Sequence, residues 1–154
     1  MPEELSTQTV ERLERIARGV RLSSLRMVHA AGLGHPGGAL SAADILSVLY
    51  FCVLRVDPAN PLWPERDRFI MSKGHASAIL YSALARRGFF PVADLGEWGS
   101  LSCHLQGHPD RLKTPDALWR SLPGTVAGPA SVYQAPMANT AECYRRMDRR
   151  RYVL

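Results

Sequence analysis

Cysteines, lysines and long apolar runs are all scarce in this chain of 154 residues. The three cysteines, Cys52, Cys103 and Cys143, are an odd number without C-x-x-C spacing, which argues against a disulfide framework and a structural zinc site. No stretch approaches the roughly 20 apolar residues that span a membrane, and the acidic start MPEE has no apolar signal core. We therefore expect a single domain, in the cytoplasm and without a membrane partner.

Negative charge is also in short supply, since the net charge is +5. Residues 142–151 hold five arginines against one glutamate and one aspartate, so this segment contributes five minus two, or +3. A basic cluster can bind phosphates or nucleic acid. No nucleic-acid motif accompanies it, however, and we interpret the cluster as a solvated surface or a subunit contact. No nucleic-acid partner is expected.

Hydrophobic spacing predicts a helix-rich chain with short strands. Apolar residues three and four positions apart indicate an amphipathic helix over residues 9–31. Ser41, three residues before Asp44, has the spacing of a capping box and is expected to begin a second helix. Arg66, Asp67 and Arg68 are interpreted as solvated charges. The other predicted elements are a buried strand over 67–72, helices over 76–87 and 91–98, an ordered loop over 99–116, a helix over 130–147 despite Pro136, and the start of a strand at 151–154.

Two histidines lie in glycine-rich settings forty residues apart. His35 stands in GHPGG at 34–38, and His75 stands in SKGHAS at 72–77. The small residues beside each histidine have no bulky side chains, so a ligand could approach each imidazole and the backbone amides next to it. The second loop also precedes a predicted helix. Backbone amides at the N-terminus of a helix attract anions, and a diphosphate is a suitable ligand there.

Five segments in this order resemble the N-terminal part of the transketolase family. They are GHPGG at 34–38, SAADILSVLY at 41–50, DPANPLWPERDRFI at 57–70, SKGHAS at 72–77 and GHPD at 107–110. The resemblance implies an α/β thiamine-diphosphate-binding fold, with a parallel sheet flanked by helices, here truncated and helix-rich. It also implies a transferase of pentose phosphate metabolism, which moves a two-carbon ketol unit between sugar phosphates using thiamine diphosphate and Mg²⁺.

The resemblance assigns roles to individual residues. It implies that His35 and His108 are catalytic and contact the hydroxyl and carbonyl oxygens of the donor sugar, because imidazoles donate hydrogen bonds and exchange protons near neutral pH. His75 and Gly74 would lie against the cofactor near its diphosphate, and Gly124 and Thr125 would contribute to the cofactor loop. The simpler alternative is that each glycine-flanked histidine only caps a turn.

A metal site is the other alternative for one histidine-containing segment. Cys103, His104 and His108 are close in sequence, but zinc sites prefer four ligands in a tighter pattern. We expect no metal ligands in this chain.

We expect residues 1–115 to form the transketolase-like region and residues 116–154 to be a divergent segment of the same incomplete domain. The family places a Gly-Asp-Gly metal motif after a strand like the one predicted at 151–154, and no such motif occurs within the chain. We therefore expect the chain alone to be inactive. A split enzyme, a truncated gene product and a fragment would each account for this.

Two functions from different classes are consistent with these features. The first is transketolase-like ketol transfer, with a sugar phosphate substrate and with a second copy or a complementing transketolase subunit as partner. The second is a truncated, non-catalytic interaction module that retains the N-terminal fold.

Overall fold

The longest element is a helix at the amino-terminal end of the described chain. The computed structural model describes residues 6–61, 63–71, 73–109 and 151–153. Helix α1, Thr7–Ala31, begins where the Ser6 hydroxyl accepts a hydrogen bond from the backbone N–H of Thr9, and it ends at Gly32 in the left-handed conformation. Its buried positions recur at helical spacing, so the predicted amphipathic helix is confirmed.

Two short helices follow α1. Helix α2, Pro36–Leu40, occupies residues that were expected to be loop, because Pro36 has the backbone angle suited to the first helical position. Helix α3, Ala43–Val48, continues into a π-helical turn at Leu49–Val53. The expected capping box is wrong: the N-cap of α3 is Ala42, and the Ser41 hydroxyl donates backward to the carbonyl of Gly38.

The second half of the described chain contains two short strands, one α-helix and two 3₁₀ segments. Strand β1, Arg68–Ile70, leads through a 3₁₀ turn at Gly74–Ala76 into helix α4, Ser77–Arg87, and a second 3₁₀ helix covers Val92–Glu97. Strand β2, Arg151–Val153, pairs with β1 in parallel, with Phe69 opposite Tyr152. Both predicted strands are confirmed. Within the described residues this pair is the whole sheet, so the wider parallel sheet stays a prediction.

Helix α4 forms the centre of the hydrophobic core. Every residue from Ser77 to Ala85 is buried, and α1 and α3 pack against this helix. The fully buried side chains include Leu46 and Tyr50 before β1 and Ile79 and Leu84 in α4. Each such side chain contributes about 1.5–3 kcal/mol through removal from water. Helix α4 begins directly after the turn that contains His75. The packing of α4 in the core therefore holds the end of the second histidine loop in place.

The charged residues before β1 are buried, contrary to expectation. Arg66 is 7% exposed and Asp67 is 4% exposed. The Asp67 carboxylate accepts hydrogen bonds from the backbone N–H of Arg55 at 2.8 Å and from its guanidinium at 3.3 Å. Such pairing offsets the cost of removing a carboxylate from water. The hydrogen bonds between Arg55 and Asp67 therefore connect the segment after α3 to the start of β1.

None of the helices in the described part of the chain is both long enough and apolar enough to cross a membrane.

Candidate functional site

The first histidine loop is shaped by glycines and by contacts with two apolar side chains. Gly34 has a φ of 121°, and a Cβ placed on it would lie 3.0 Å from both Trp98 and Val28. Only glycine can therefore occupy position 34, where the backbone lies so close to these side chains. His35 follows as the N-cap of α2, with its side chain exposed.

The second loop brings His75 against the first loop. His75 lies in the 3₁₀ turn before α4 and is also exposed. Its ring and that of His35 meet edge to face, with centroids 5.4 Å apart and planes at 78°. The Nε2 atom of His75 also lies only 3.0 Å from the position of a Cβ on Gly38. Residues forty positions apart thus form one exposed pair of imidazoles.

The third histidine lies beside the same turn. A Cβ placed on Gly74 would be 3.0 Å from Cδ2 of His108. The backbone before His108 is held by α4: the Ser77 hydroxyl donates to the carbonyl of Gly107 at 2.6 Å, and the Tyr81 hydroxyl donates to that of Gln106 at 2.8 Å. The indole N–H of Trp98 donates to the same Gln106 carbonyl at 3.2 Å. His35 and His75 therefore border one glycine-lined surface, and His108 lies beside Gly74, the residue before His75.

Lys73 also belongs to this surface, although no role for it was predicted from the sequence. Its ammonium donates to the carbonyl of Gly38 at 3.1 Å and to the Ser41 hydroxyl at 2.9 Å. Ser77 and Tyr81 were likewise assigned to no site. Their position in the helix directly after the histidine loop is the signal that could have indicated them.

The remaining candidate residues lie elsewhere or outside the description. Gly124 and Thr125 are outside the described residues. Cys103 is buried, and its sulfur accepts a hydrogen bond from the backbone N–H of Leu105. The Nε2 atom of His104 faces Asp94 Oδ2 at 3.7 Å, and its ring packs on Phe90. In the part of the chain that is described, no group of three or more His, Cys, Asp or Glu side chains is arranged to hold a metal ion.

Comparison with known proteins identifies the family. The sequence model described as transketolase, thiamine diphosphate binding domain, matches residues 13–123. This chain belongs to the transketolase family. The matched residues include His35, His75 and His108.

Curated transketolases resemble the chain at similar levels of identity. The 6-deoxy-6-sulfo-D-fructose transketolase subunit of Clostridium sp. (strain MSTE9) is 40% identical over 110 residues, which cover 71% of this chain and 40% of that protein. Transketolase of Mus musculus is 43% identical over 102 residues, covering 66% of this chain and 16% of that protein. The chain thus spans well under half the length of each of these relatives.

Solved transketolase structures share the fold. The enzyme from Leishmania mexicana superimposes with a TM-score of 0.67 at 30% identity, covering 76% of this chain and 17% of that one. The Pichia stipitis enzyme in complex with sedoheptulose-7-phosphate also gives a TM-score of 0.67, at 34% identity, covering 76% of this chain and 16% of that one. The described part of the chain therefore has the thiamine-diphosphate-binding fold of these enzymes.

The residues present fit thiamine diphosphate, the cofactor of this domain family. The surface beside His35 and His75 has no Cβ at Gly37 or Gly38, and a Cβ on Gly37 would meet nothing within 4 Å, so a ligand can approach the backbone. The exposed imidazoles offer hydrogen-bond donors to the oxygens of a diphosphate. The donor set and the open space agree with an anionic, polar ligand.

Proposed function

We propose that this chain supplies the first part of an active site for transketolase-type transfer of a two-carbon ketol unit between sugar phosphates. The observation that carries the proposal is the contact between the His35 and His75 rings, together with the approach of His108 to Gly74, the residue before His75. Membership of the thiamine diphosphate binding domain family supports the same cofactor here.

Each histidine has a distinct role in this proposal. His75, together with the backbone at Gly74, lies against the cofactor near its diphosphate. His35 and His108 donate hydrogen bonds to the hydroxyl and carbonyl oxygens of the donor sugar and hold or release protons there. When bound, thiamine diphosphate supplies through its thiazolium carbon the nucleophile that accepts the ketol unit. The protein's contribution is orientation, proton transfer and charge stabilisation.

Two further components complete the proposed site. Mg²⁺ would bind the diphosphate. A second protein chain, either another copy of this one or a complementing transketolase subunit, would supply the rest of the pocket. The name of the Clostridium relative, which is called a transketolase subunit, supports the second of these.

Calorimetric titration of the purified chain with thiamine diphosphate and Mg²⁺ tests the proposal. We expect saturable binding that His75→Ala weakens about tenfold or more, because a hydrogen bond to a charged group is worth about 1.5–3 kcal/mol. His29→Ala is the matched control, since His29 is an exposed histidine in the last turn of α1. If the wild-type titration stays flat both alone and with a carboxyl-terminal transketolase subunit added, the proposal fails. The non-catalytic interaction module would then be favoured.

A further inference from the structure

The side chain of Lys73 bridges the two loops that carry His35 and His75. Lys73 lies immediately before the turn of His75, and its half-buried side chain reaches back to the first loop. There the ammonium donates to the Gly38 carbonyl at 3.1 Å and to the Ser41 hydroxyl at 2.9 Å. The Ser41 hydroxyl donates in turn to the Gly38 carbonyl at 3.0 Å. The three groups close a small hydrogen-bonded ring.

The end of helix α2 explains why the Gly38 carbonyl takes side-chain donors. The backbone N–H that lies four residues after Gly38 belongs to Ala42, and it donates instead to the carbonyl of Ala39 at 3.1 Å. Carbonyls in the last turn of a helix need partners from outside the helix, and a cation is favoured there. A lysine ammonium has three donors and no acceptor. Lys73 therefore suits this position by both charge and hydrogen-bonding capacity.

Gly38 is held from two sides by the segment that carries His75. Its carbonyl is bonded to Lys73, while its α-carbon faces Nε2 of His75 so closely that a Cβ would lie 3.0 Å away. Gly38 is only three residues after His35, within the same short helix and its N-cap. A displacement of Gly38 would therefore change the placement of both imidazoles.

We propose that Lys73 is a positioning residue that sets the relative placement of His35 and His75 through Gly38 and Ser41. This inference rests on the proposed function for its consequence in binding, but the placement itself is measurable without any ligand.

The direct test is nuclear magnetic resonance of the ligand-free chain. Nuclear Overhauser effects fall steeply with distance, so the edge-to-face rings of His35 and His75 should give a cross-peak. Tyr50 and Phe69 form a second edge-to-face pair within the core, with centroids 5.8 Å apart, and their cross-peak is the internal control for folding. We expect Lys73→Met to lose the histidine cross-peak and to retain that of Tyr50 and Phe69. Lys73→Arg, which keeps the charge and the donors, should restore it.

Two further variants keep the test decisive. Ser41→Ala removes only one member of the hydrogen-bonded ring and should weaken the histidine cross-peak, even if Lys73→Met fails to fold. Arg18→Met removes a positive charge that pairs with Glu14 on the exposed side of α1, and it should leave the cross-peak unchanged. A histidine cross-peak of wild-type intensity in both Lys73→Met and Ser41→Ala would overturn the positioning role.

Thiamine diphosphate titration of the same variants, with Mg²⁺ present, separates this inference from the proposed function. We expect Lys73→Met to weaken binding about tenfold, which corresponds to about 1.4 kcal/mol, and Lys73→Arg to recover most of it. Weaker binding with an unchanged histidine cross-peak would make Lys73 a direct ligand contact and would overturn the positioning role. If the wild-type chain binds no cofactor, the proposed function fails, and the cross-peaks still decide whether Lys73 positions the histidines.

Discussion

The α-carbon of Gly38 and the Nε2 atom of His75 are so close that only glycine leaves the imidazole where it is. A Cβ on Gly38 would lie 3.0 Å from Nε2. All of the neighbouring atoms found within 4 Å of that Cβ belong to the His75 ring. The exposed ring of His75 can move aside, since solvent adjoins it. The contact therefore constrains the site more than it constrains the fold.

Gly38→Ala should separate site geometry from stability. Alanine is favoured over glycine in helices by about 1 kcal/mol, and this gain offsets the crowding of His75. We expect the free energy of unfolding, measured with urea, to change by less than about 1 kcal/mol. The histidine cross-peak and cofactor binding should both weaken.

Gly37→Ala is the matched control, in the same helix but with nothing within 4 Å of its Cβ. It should leave the histidine cross-peak unchanged and raise the free energy of unfolding by about 0.5–1 kcal/mol. Equal effects of the two variants on His75 would contradict this explanation.

Gly34→Ala should destabilise the fold itself. Its φ of 121° is costly for any residue with a Cβ, and the Cβ would press on Trp98 and Val28, both at 3.0 Å. Strain and overpacking each cost about 1–3 kcal/mol. We expect the free energy of unfolding, measured with urea, to fall by about 2–6 kcal/mol.

Gly32→Ala separates the two contributions to that loss. Gly32 also has a positive φ, of 63°, but its Cβ would meet nothing within 4 Å. This variant should cost only the backbone strain of about 1–2 kcal/mol. If Gly32→Ala destabilises the chain as much as Gly34→Ala does, the contact with Trp98 and Val28 is unimportant.

Ser77→Ala should release the backbone before His108. The Ser77 hydroxyl is buried and donates to the carbonyl of Gly107 at 2.6 Å, across thirty positions of sequence. Its loss should cost about 1 kcal/mol and shift the imidazole resonances of His108. Ser82→Ala is the control in the same helix, because the equally buried Ser82 hydroxyl donates to the Ala78 carbonyl within α4. Unaltered His108 resonances in Ser77→Ala would show that this bond does not position the third histidine.

Local spacing was sufficient to predict several elements of the chain. The helix over 9–31 appears as α1, and the one over 76–87 appears as α4 with Gly88 at its end. These predictions held because hydrophobic period and glycine termination act over a few residues. The prediction of solvated charges at Arg66 and Asp67 was wrong: both residues are buried, and Asp67 is hydrogen-bonded to Arg55, twelve residues earlier, which no local pattern indicates.

Within the site, the sequence identifies the candidate residues, and the packing of the helices brings two of them into contact. The family motifs singled out His35, His75 and His108 because their residue types and order are written in the chain. The contact between the His35 and His75 rings and the bridge from Lys73 to Gly38 arise only when α1, α2 and α4 pack together. Local propensity does not specify such contacts, since they join positions more than thirty residues apart, and burial of the shared core brings them together.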